Sequence, residues 1–463
     1  MPFDLIVAGG TVVTADGSAR ADVGVVGGRI AAVDPSLGAA DGARMVRADG
    51  LLVLPGVVDV HTHTRVATDA QPDRFYQESV AASFGGTTTF LAFNNPGTGA
   101  TAAADGSLLR GLRQWQAATS DDAAVDYAVS LVITGQQSDP IAELPEAIEA
   151  GVPTFKAFMV YDFGVDDATL FRALRTTGRH GGLLQVHCEN RTILEARTQD
   201  LLASGRTAPR FHAESRPPFV EAEATHRALA LARAAEAPVY VVHLSCREAL
   251  RHIRDAQAEG LQAFAETCPH YLVLSDRQYE LPDEDAACFV ISPPLREEGQ
   301  RDDLWAGLAD GSLSLIGTDH VPDRRSVEKQ SWSESFDRIS NGGPGIETLL
   351  ATVYSEGVAG GRITVERMVD LLSTTPARLF GLASKGAVEE GRDADLVLFD
   401  PAVRRTLTQA ELHHTSDYTP YEGLDVSGAV RSVFVRGSAV VVDGRFVGRR
   451  GYGQFQEREL TWR

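Results

Sequence analysis

The chain opens with short apolar runs at residues 4–7, 11–14, 23–26 and 30–33, separated by Gly9-Gly10, Asp16-Gly17 and Gly27-Gly28. Dipeptides of that kind suit tight turns, so the pattern predicts strands joined by hairpins. The same texture returns at 395–399, 430–436 and 439–442, closed by Asp443-Gly444. Between these ends, eight apolar segments at 57–64, 87–93, 125–133, 154–160, 183–188, 239–245, 261–267 and 313–319 alternate with stretches rich in helix formers. The clearest helical stretches are 221–237 (EAEATHRALALARAAEA) and 247–259, each long enough to cross back over a sheet. Alternating units of this kind build a parallel sheet, and eight strands are the number that closes a barrel. The predicted fold class is therefore α/β. A (β/α)8 TIM-like barrel spans 55–379, a small β-sandwich is assembled from 1–54 and 380–449, and a tail follows at 450–463.

Composition narrows the possibilities. With 463 residues, 43% hydrophobic and 23% charged, the chain has ample material for a core, which excludes disorder and collagen-like structure. No repeat in the range of about 20 to 50 residues stands out beyond the strand and helix alternation. The formal charge of −20 repels phosphate backbones and anionic lipid, so neither nucleic acid nor membrane is an expected partner. No apolar run approaches the roughly 18 residues of a membrane helix. The four cysteines, Cys188, Cys246, Cys268 and Cys288, form no Cys-x-x-Cys, and Met1-Pro2-Phe3-Asp4-Leu5 has no signal-peptide pattern. A reducing, cytoplasmic location is expected, with Cys188, Cys246 and Cys268 as small buried residues beside strand ends.

In such a barrel the chemistry sits at the C-terminal ends of the strands. Strand 1 ends in His61-Thr62-His63, whose imidazoles share one face because strand side chains alternate. Strand 4 carries Lys156, strand 5 ends in His187, strand 6 in His243 and strand 8 in Asp319. Any one of these has an ordinary structural reading, as a capping Asp, a satisfied His or a snorkelling Lys. Their joint occurrence at one mouth points to a metal site. Imidazole and carboxylate suit zinc, with iron, cobalt or manganese as alternatives. An ammonium cannot ligate a cation, and burial beside metal would lower the Lys156 pKa and free a nucleophilic amine. Reaction with carbon dioxide would then make it N6-carboxylysine, a bridging anion.

These residues resemble the binuclear amidohydrolases of the cyclic-amide type, especially dihydropyrimidinases and hydantoinases. The resemblance covers nearly the whole chain. It rests on Gly9-Gly10-Thr11-Val12-Val13, Pro55-Gly56-Val57-Val58-Asp59-Val60-His61-Thr62-His63, Phe155-Lys156-Ala157-Phe158-Met159-Val160-Tyr161 and Val186-His187-Cys188-Glu189-Asn190. It continues through Glu266-Thr267-Cys268-Pro269-His270, Ser292-Pro293-Pro294-Leu295-Arg296, Gly317-Thr318-Asp319-His320, Asn341-Gly342-Gly343-Pro344-Gly345 and the stretch from His413 to Gly423. It implies two divalent metals, most simply Zn2+, with His61, His63, Lys156 and Asp319 on one and Lys156, His187 and His243 on the other. It further implies a metal-bridging hydroxide that opens a dihydropyrimidine or hydantoin ring to an N-carbamoyl amino acid. Asp319 would be general base and then acid, and Tyr161 an oxyanion donor. Ser292 and Asn341 would hold the ring through main-chain groups. A homotetramer is implied too, with the tail reaching a neighbouring subunit, where a frayed terminus would be the ordinary expectation.

Two departures qualify the substrate. Arg65 makes His-x-His-x-Arg, a spacing similar to dihydroorotases, where the Arg clamps a substrate carboxylate; a pairing with a neighbouring acid is the structural alternative. Phe93-Asn94-Asn95-Pro96-Gly97 is similar to that branch as well. Thr375 stands where the family shows Asn, read as a local structural change. The rival activities are therefore dihydroorotase- or allantoinase-like. A catalytically silent scaffold is the rival from another class, although such relatives lose metal ligands and none is missing here. His270 and His320 are open between ligand support and ordinary packing, His413-His414 are expected at a surface or interface, and Glu189 either orients His187 or forms a salt bridge.

Overall fold

The computed structural model describes residues 3–38, 43–94 and 101–461. Five strands come first: β1 (Leu5–Thr14), β2 (Gly17–Val26), β3 (Arg29–Asp34), β4 (Arg44–Arg47) and β5 (Leu52–Pro55). The predicted runs 4–7 and 11–14 prove to be one strand. Gly9-Gly10 is no hairpin but a bulge in β1, where the register against β2 shifts between Val7 and Gly10. Gly9 has φ +81°, and a Cβ there would sit 2.7 Å from Asp49 Oδ1, so glycine is required.

Eight parallel strands follow in strict sequence order: β6 (Val57–Thr62), β7 (Thr87–Asn94), β8 (Asp126–Ile133), β9 (Thr154–Phe158), β10 (Leu183–His187), β11 (Val239–Val241), β12 (Ala263–Thr267) and β13 (Leu315–Ile316). They are nearly continuous buried runs, as expected of a sheet covered by helices on its outer face. The predicted helices appear at Pro218–Ala235 and Arg247–Ala258. The sixth and eighth strands are shorter than their apolar runs suggest. Backbone at His243 (φ +38°) and Asp319 (φ +51°) leaves the strand conformation, which swings both side chains into the barrel mouth. With only two residues in β13, closure against β6 falls to other groups. The Thr62–His320 bridge closes it, and the buried Asp59 carboxylate accepts from Thr318 N at 3.1 Å and Oγ1 at 2.5 Å.

The chain returns through β14 (Leu396–Thr406), β15 (Asp425–Val435), β16 (Ser438–Val442) and β17 (Arg445–Phe446), with Asp443-Gly444 forming the expected turn. Strands from both chain ends hydrogen-bond into one nine-stranded mixed sheet, in which β14 pairs β5. That sheet has its own apolar cluster, including Val7, Val23, Val53, Leu396 and Phe434. Among the described residues no helix is long and apolar enough to cross a membrane.

Sheet and barrel are joined by a buried charge cluster. Lys385 Nζ contacts Asp126 at 2.5 Å, Asp395 at 2.9 Å and Asp393 at 3.0 Å, and Arg436 also pairs with Asp126. The described part of the tail lies along its own barrel. Tyr127 N donates to Gln454 O and Gln456 N to Tyr127 O, Arg458 Nη2 donates to Val129 O, and Leu460 is buried against Phe380. Satisfied main chain and burial hold it, so its described part is not frayed; Trp462 lies outside the described residues. Lys385→Met should lower the free energy of unfolding by about 3 to 5 kcal/mol at pH 7, because it leaves the buried Asp395 without a cation and takes one from Asp126 and Asp393. Urea denaturation of the variant against the parent measures this.

Candidate metal centre and active site

Six side chains singled out from the strand ends converge at the mouth. His61, at β6 and fully buried, points Nε2 at Asp319 Oδ1 from 3.1 Å, and His63 Nε2 lies 3.0 Å from the same oxygen. The ligand atoms of these three residues lie within 4.8 Å of one another. On the opposite wall, His187 Nδ1 and His243 Nε2 face each other at 2.8 Å. Lys156, on β9, is fully buried between the rings of Phe93 and Phe158, 4.6 and 5.1 Å from their centroids. Its Nζ has no hydrogen-bond partner among the described residues.

Partners behind the imidazoles decide which nitrogens are free. His61 Nδ1 meets the Glu266 carboxylate, which also accepts from Tyr240 at 2.7 Å and from His243 N at 3.2 Å. A proton on Nδ1 leaves the Nε2 lone pair directed at a carboxylate oxygen. Two acceptors that face each other at contact distance repel unless a cation lies between them. His187 Nε2 likewise donates to Glu189 Oε2 at 2.7 Å, and Arg216 Nη1 donates to the same oxygen at 2.7 Å. Burial works to raise the Glu189 carboxyl, but Arg216 and His187 outweigh it and hold the pKa at about 2. Glu189 therefore does both things left open for it, orienting His187 and pairing with Arg216. His61 and His187 each have a carboxylate fixing the tautomer, as metal-binding histidines do. Burial lowers the Lys156 ammonium to about 8, although Asp319 and Glu266 pull the other way. A dry, unpartnered amine among ligand atoms fits the proposed carbamate and does not fit an ordinary lysine.

The remaining candidates line the same cavity of about 650 Å³. Tyr161 follows β9 at φ +72°, and burial raises its phenol, which keeps it a proton donor. Ser292 Oγ donates to Asn341 Oδ1 at 2.8 Å. Arg65 pairs with the buried Asp323 at 2.6 Å, so the neighbouring acid is real, and its guanidinium still lines the cavity. Of the Asn95-Pro96-Gly97 motif nothing follows, since it lies outside the described residues. Thr375 donates to Asp370 Oδ1 at 2.7 Å, far from the mouth.

Several residues find roles outside the centre. His320 Nε2 donates to Glu78 at 2.8 Å while Nδ1 accepts from Gly345 N at 3.1 Å, which pins the Asn341 loop. His414 is buried and His413 stacks on Phe84 at 3.5 Å while bonding Glu347, so this pair packs within its own chain. His270 is buried beside Tyr271 and bonds no candidate ligand. The four cysteines are free and buried, with burial raising each thiol.

Two contributors escaped the reading from sequence. Glu266 stands at the end of β12, where the strand-end rule points to it, but a carboxylate there also reads as an ordinary salt-bridge partner. Lys329 carries no such signal. Its Nζ donates to Val290 O at 3.1 Å, Ser340 O at 2.5 Å and Gly342 O at 2.7 Å, tying the loops of Ser292 and Asn341 together. Gly317 is needed for a similar reason: a Cβ would come 2.8 Å from Glu266 Oε2 and 3.0 Å from His61 Cβ.

Comparison with known proteins agrees with this geometry. Residues 52–440 match the model of the amidohydrolase family. The chain belongs to the amidohydrolase family. It is 40% identical to the D-hydantoinase of Geobacillus stearothermophilus over 460 residues, 98% of this chain and 96% of the relative. Against the D-hydantoinase of Ralstonia pickettii it is 38% identical over 461 residues, 98% of this chain and 99% of that one. Among solved structures, the dihydropyrimidinase of Brevibacillus agri superposes with TM-score 0.94 at 39% identity, covering 99% of both chains. The amidohydrolase assignment extends to the hydantoinase and dihydropyrimidinase branch on these full-length matches.

Glu266→Gln should weaken divalent-metal affinity about 10- to 100-fold, the usual cost of losing such a supporting carboxylate, as read by metal titration of the apoprotein. His212, whose Nε2 donates to Ile291 O at 2.8 Å, is lowered to about 3 by burial and next by Arg216. It stays neutral when folded, whereas the unfolded chain binds a proton near 6.5. Stability must then fall as pH drops from about 7 toward 4, and His212→Gln should flatten that slope in thermal melts.

Proposed function

We propose that the protein is a metal-dependent hydrolase that opens a five- or six-membered cyclic ureide, a hydantoin or dihydropyrimidine, to an N-carbamoyl amino acid. The observation that carries this reading is the pairing of mutually facing ligand atoms with an unpartnered, buried Lys156 at one mouth. His61, His63 and Asp319 would hold one ion, His187 and His243 a second, and carboxylated Lys156 both. Zinc suits this nitrogen and oxygen donor set. Ions bound there would polarise the ring carbonyl and bring the pKa of water toward about 7.

The chain's own groups then have defined tasks. Ser292 and Asn341 orient the ring on loops that Lys329 ties together. The Tyr161 hydroxyl donates a hydrogen bond to the oxygen that gains charge as the carbonyl becomes tetrahedral. Asp319 takes the proton of the attacking water. It returns that proton to the ring nitrogen as the carbon–nitrogen bond breaks, so one water is added across one bond. Hydantoinase names among the full-length relatives support the substrate class, and the complete set of ligand candidates speaks against a silent scaffold. Free, buried thiols suit a reducing, cytoplasmic setting.

Assays with hydantoin, dihydrouracil, dihydroorotate and allantoin side by side test the reading. Turnover of hydantoin or dihydrouracil that vanishes on chelation and returns with zinc is expected; turnover of dihydroorotate or allantoin alone would overturn the branch assignment. Lys156→Ala should lose activity and metal together and recover part of both with added acetate or propionate. Unchanged activity in that variant would refute the bridging role.

A further inference from the structure

Two loops far apart in the chain form one edge of the cavity, which Ser292, Ser340, Asn341 and Gly342 line. They touch where Gly342 N donates to Val290 O at 3.0 Å and Ser292 Oγ donates to Asn341 Oδ1 at 2.8 Å. Behind that edge lies the fully buried Lys329, whose Nζ donates to Val290 O at 3.1 Å, Ser340 O at 2.5 Å and Gly342 O at 2.7 Å. Those acceptors flank both Ser292 and Asn341. An ammonium has three donors, one for each carbonyl. A neutral amine has two donors and a lone pair, which would be left facing a carbonyl oxygen, so the complete tie exists only while the proton is on. Burial lowers that ammonium to about 8, with Asp323 the first of the groups that pull the other way.

The groups facing Lys329 come from several parts of the fold. Asp323 is paired with Arg65, and Glu328 with Arg324. Carboxylates and guanidiniums do not titrate between about pH 7 and 10. His212 is neutral, lowered to about 3 by burial and then by Arg216. Burial raises the Cys288 thiol to about 11 and raises the phenol of Tyr418, which donates to Gly342 O at 3.3 Å. Lys329 is thus the member of this group whose charge changes just above neutral pH. Its segment has anchors of its own, since the Asp417 carboxylate accepts from Arg325 N at 2.5 Å and Ser326 N at 3.1 Å. We propose that Lys329 is a positioning residue whose ammonium, and not its amine, holds the two ring-binding loops in register, so that the ring binds less tightly once that proton is lost. This inference rests on the ring-opening reading and adds to it the group that sets ring affinity.

The test divides the KM of Lys329→Met by that of the parent, both loaded with zinc, from about pH 7 to about pH 10, using whichever of hydantoin and dihydrouracil the parent opens. Ionisation of the substrate is common to both enzymes and cancels from the ratio, and KM does not depend on the fraction of enzyme folded. The ratio should be about tenfold at about pH 7, the scale of one charge-assisted hydrogen bond, with kcat changed much less. As pH rises through about 8, the parent loses the ammonium that the variant never had, and the ratio should fall toward one. Lys329→Gln, whose amide keeps two donors, should give a smaller ratio with the same fall, and it serves if the Met variant does not fold. A ratio near one at about pH 7, or a raised ratio that stays constant as pH rises, would overturn the positioning role. In that case, with a ureide opened by the parent, only this inference falls. If no cyclic ureide is opened at all, the ring-opening reading falls and this inference with it.

Discussion

Everything at the barrel mouth depends on crowding nitrogen and oxygen donor atoms into one buried place. Imidazole lone pairs point at a carboxylate oxygen from about 3 Å, two further imidazole nitrogens meet at 2.8 Å, and a lysine amine sits among them with nothing to bond. No isolated chain would choose that arrangement. It persists because Glu266 and Glu189 fix the imidazoles from behind, and because the eight-stranded sheet leaves the side chains no route outward. A cation would satisfy the lone pairs gathered there, which is why the arrangement reads as a metal centre and not as an ordinary core.

The fold serves that constraint at several distances. Nearest are the departures from strand geometry at Tyr161, His243 and Asp319, where positive φ turns side chains toward the cavity. Such strain survives only where the surroundings over-determine it. Farther out, Lys329 and His320 hold the Ser292 and Asn341 loops by main-chain hydrogen bonds, so the surface that would orient a ring is set by the interior and not by solvent. At the far end of the barrel, the Lys385 cluster and the tail bind the mixed sheet to the strands.

Much of this was legible in the sequence, and for physical reasons. Strands buried on both faces write long apolar runs, so all eight barrel strands were visible, and the residues ending them gave the ligand candidates directly. What could not be read depends on partners far apart in the chain. Gly9-Gly10 looks like a hairpin until β4 and β5 supply the pairing that keeps β1 straight through a bulge. The tail looked free because its partners, Tyr127 and Val129, lie more than 300 residues away. Glu266, Lys329 and the Arg65–Asp323 pair belong to the same class: their residue types are unremarkable, and only tertiary contact gives them a task.

The central claim is that the facing ligand atoms and the bare Lys156 amine are the two halves of one metal centre. Anomalous diffraction at the zinc edge, on crystals of protein purified with zinc and bicarbonate, tests it most directly. The account predicts two peaks flanking Lys156, one against His61, His63 and Asp319 and one against His187 and His243, with density for a carboxylated Nζ between them. An unmodified Lys156 with no peak between those side chains, in crystals that bind zinc elsewhere, would contradict it.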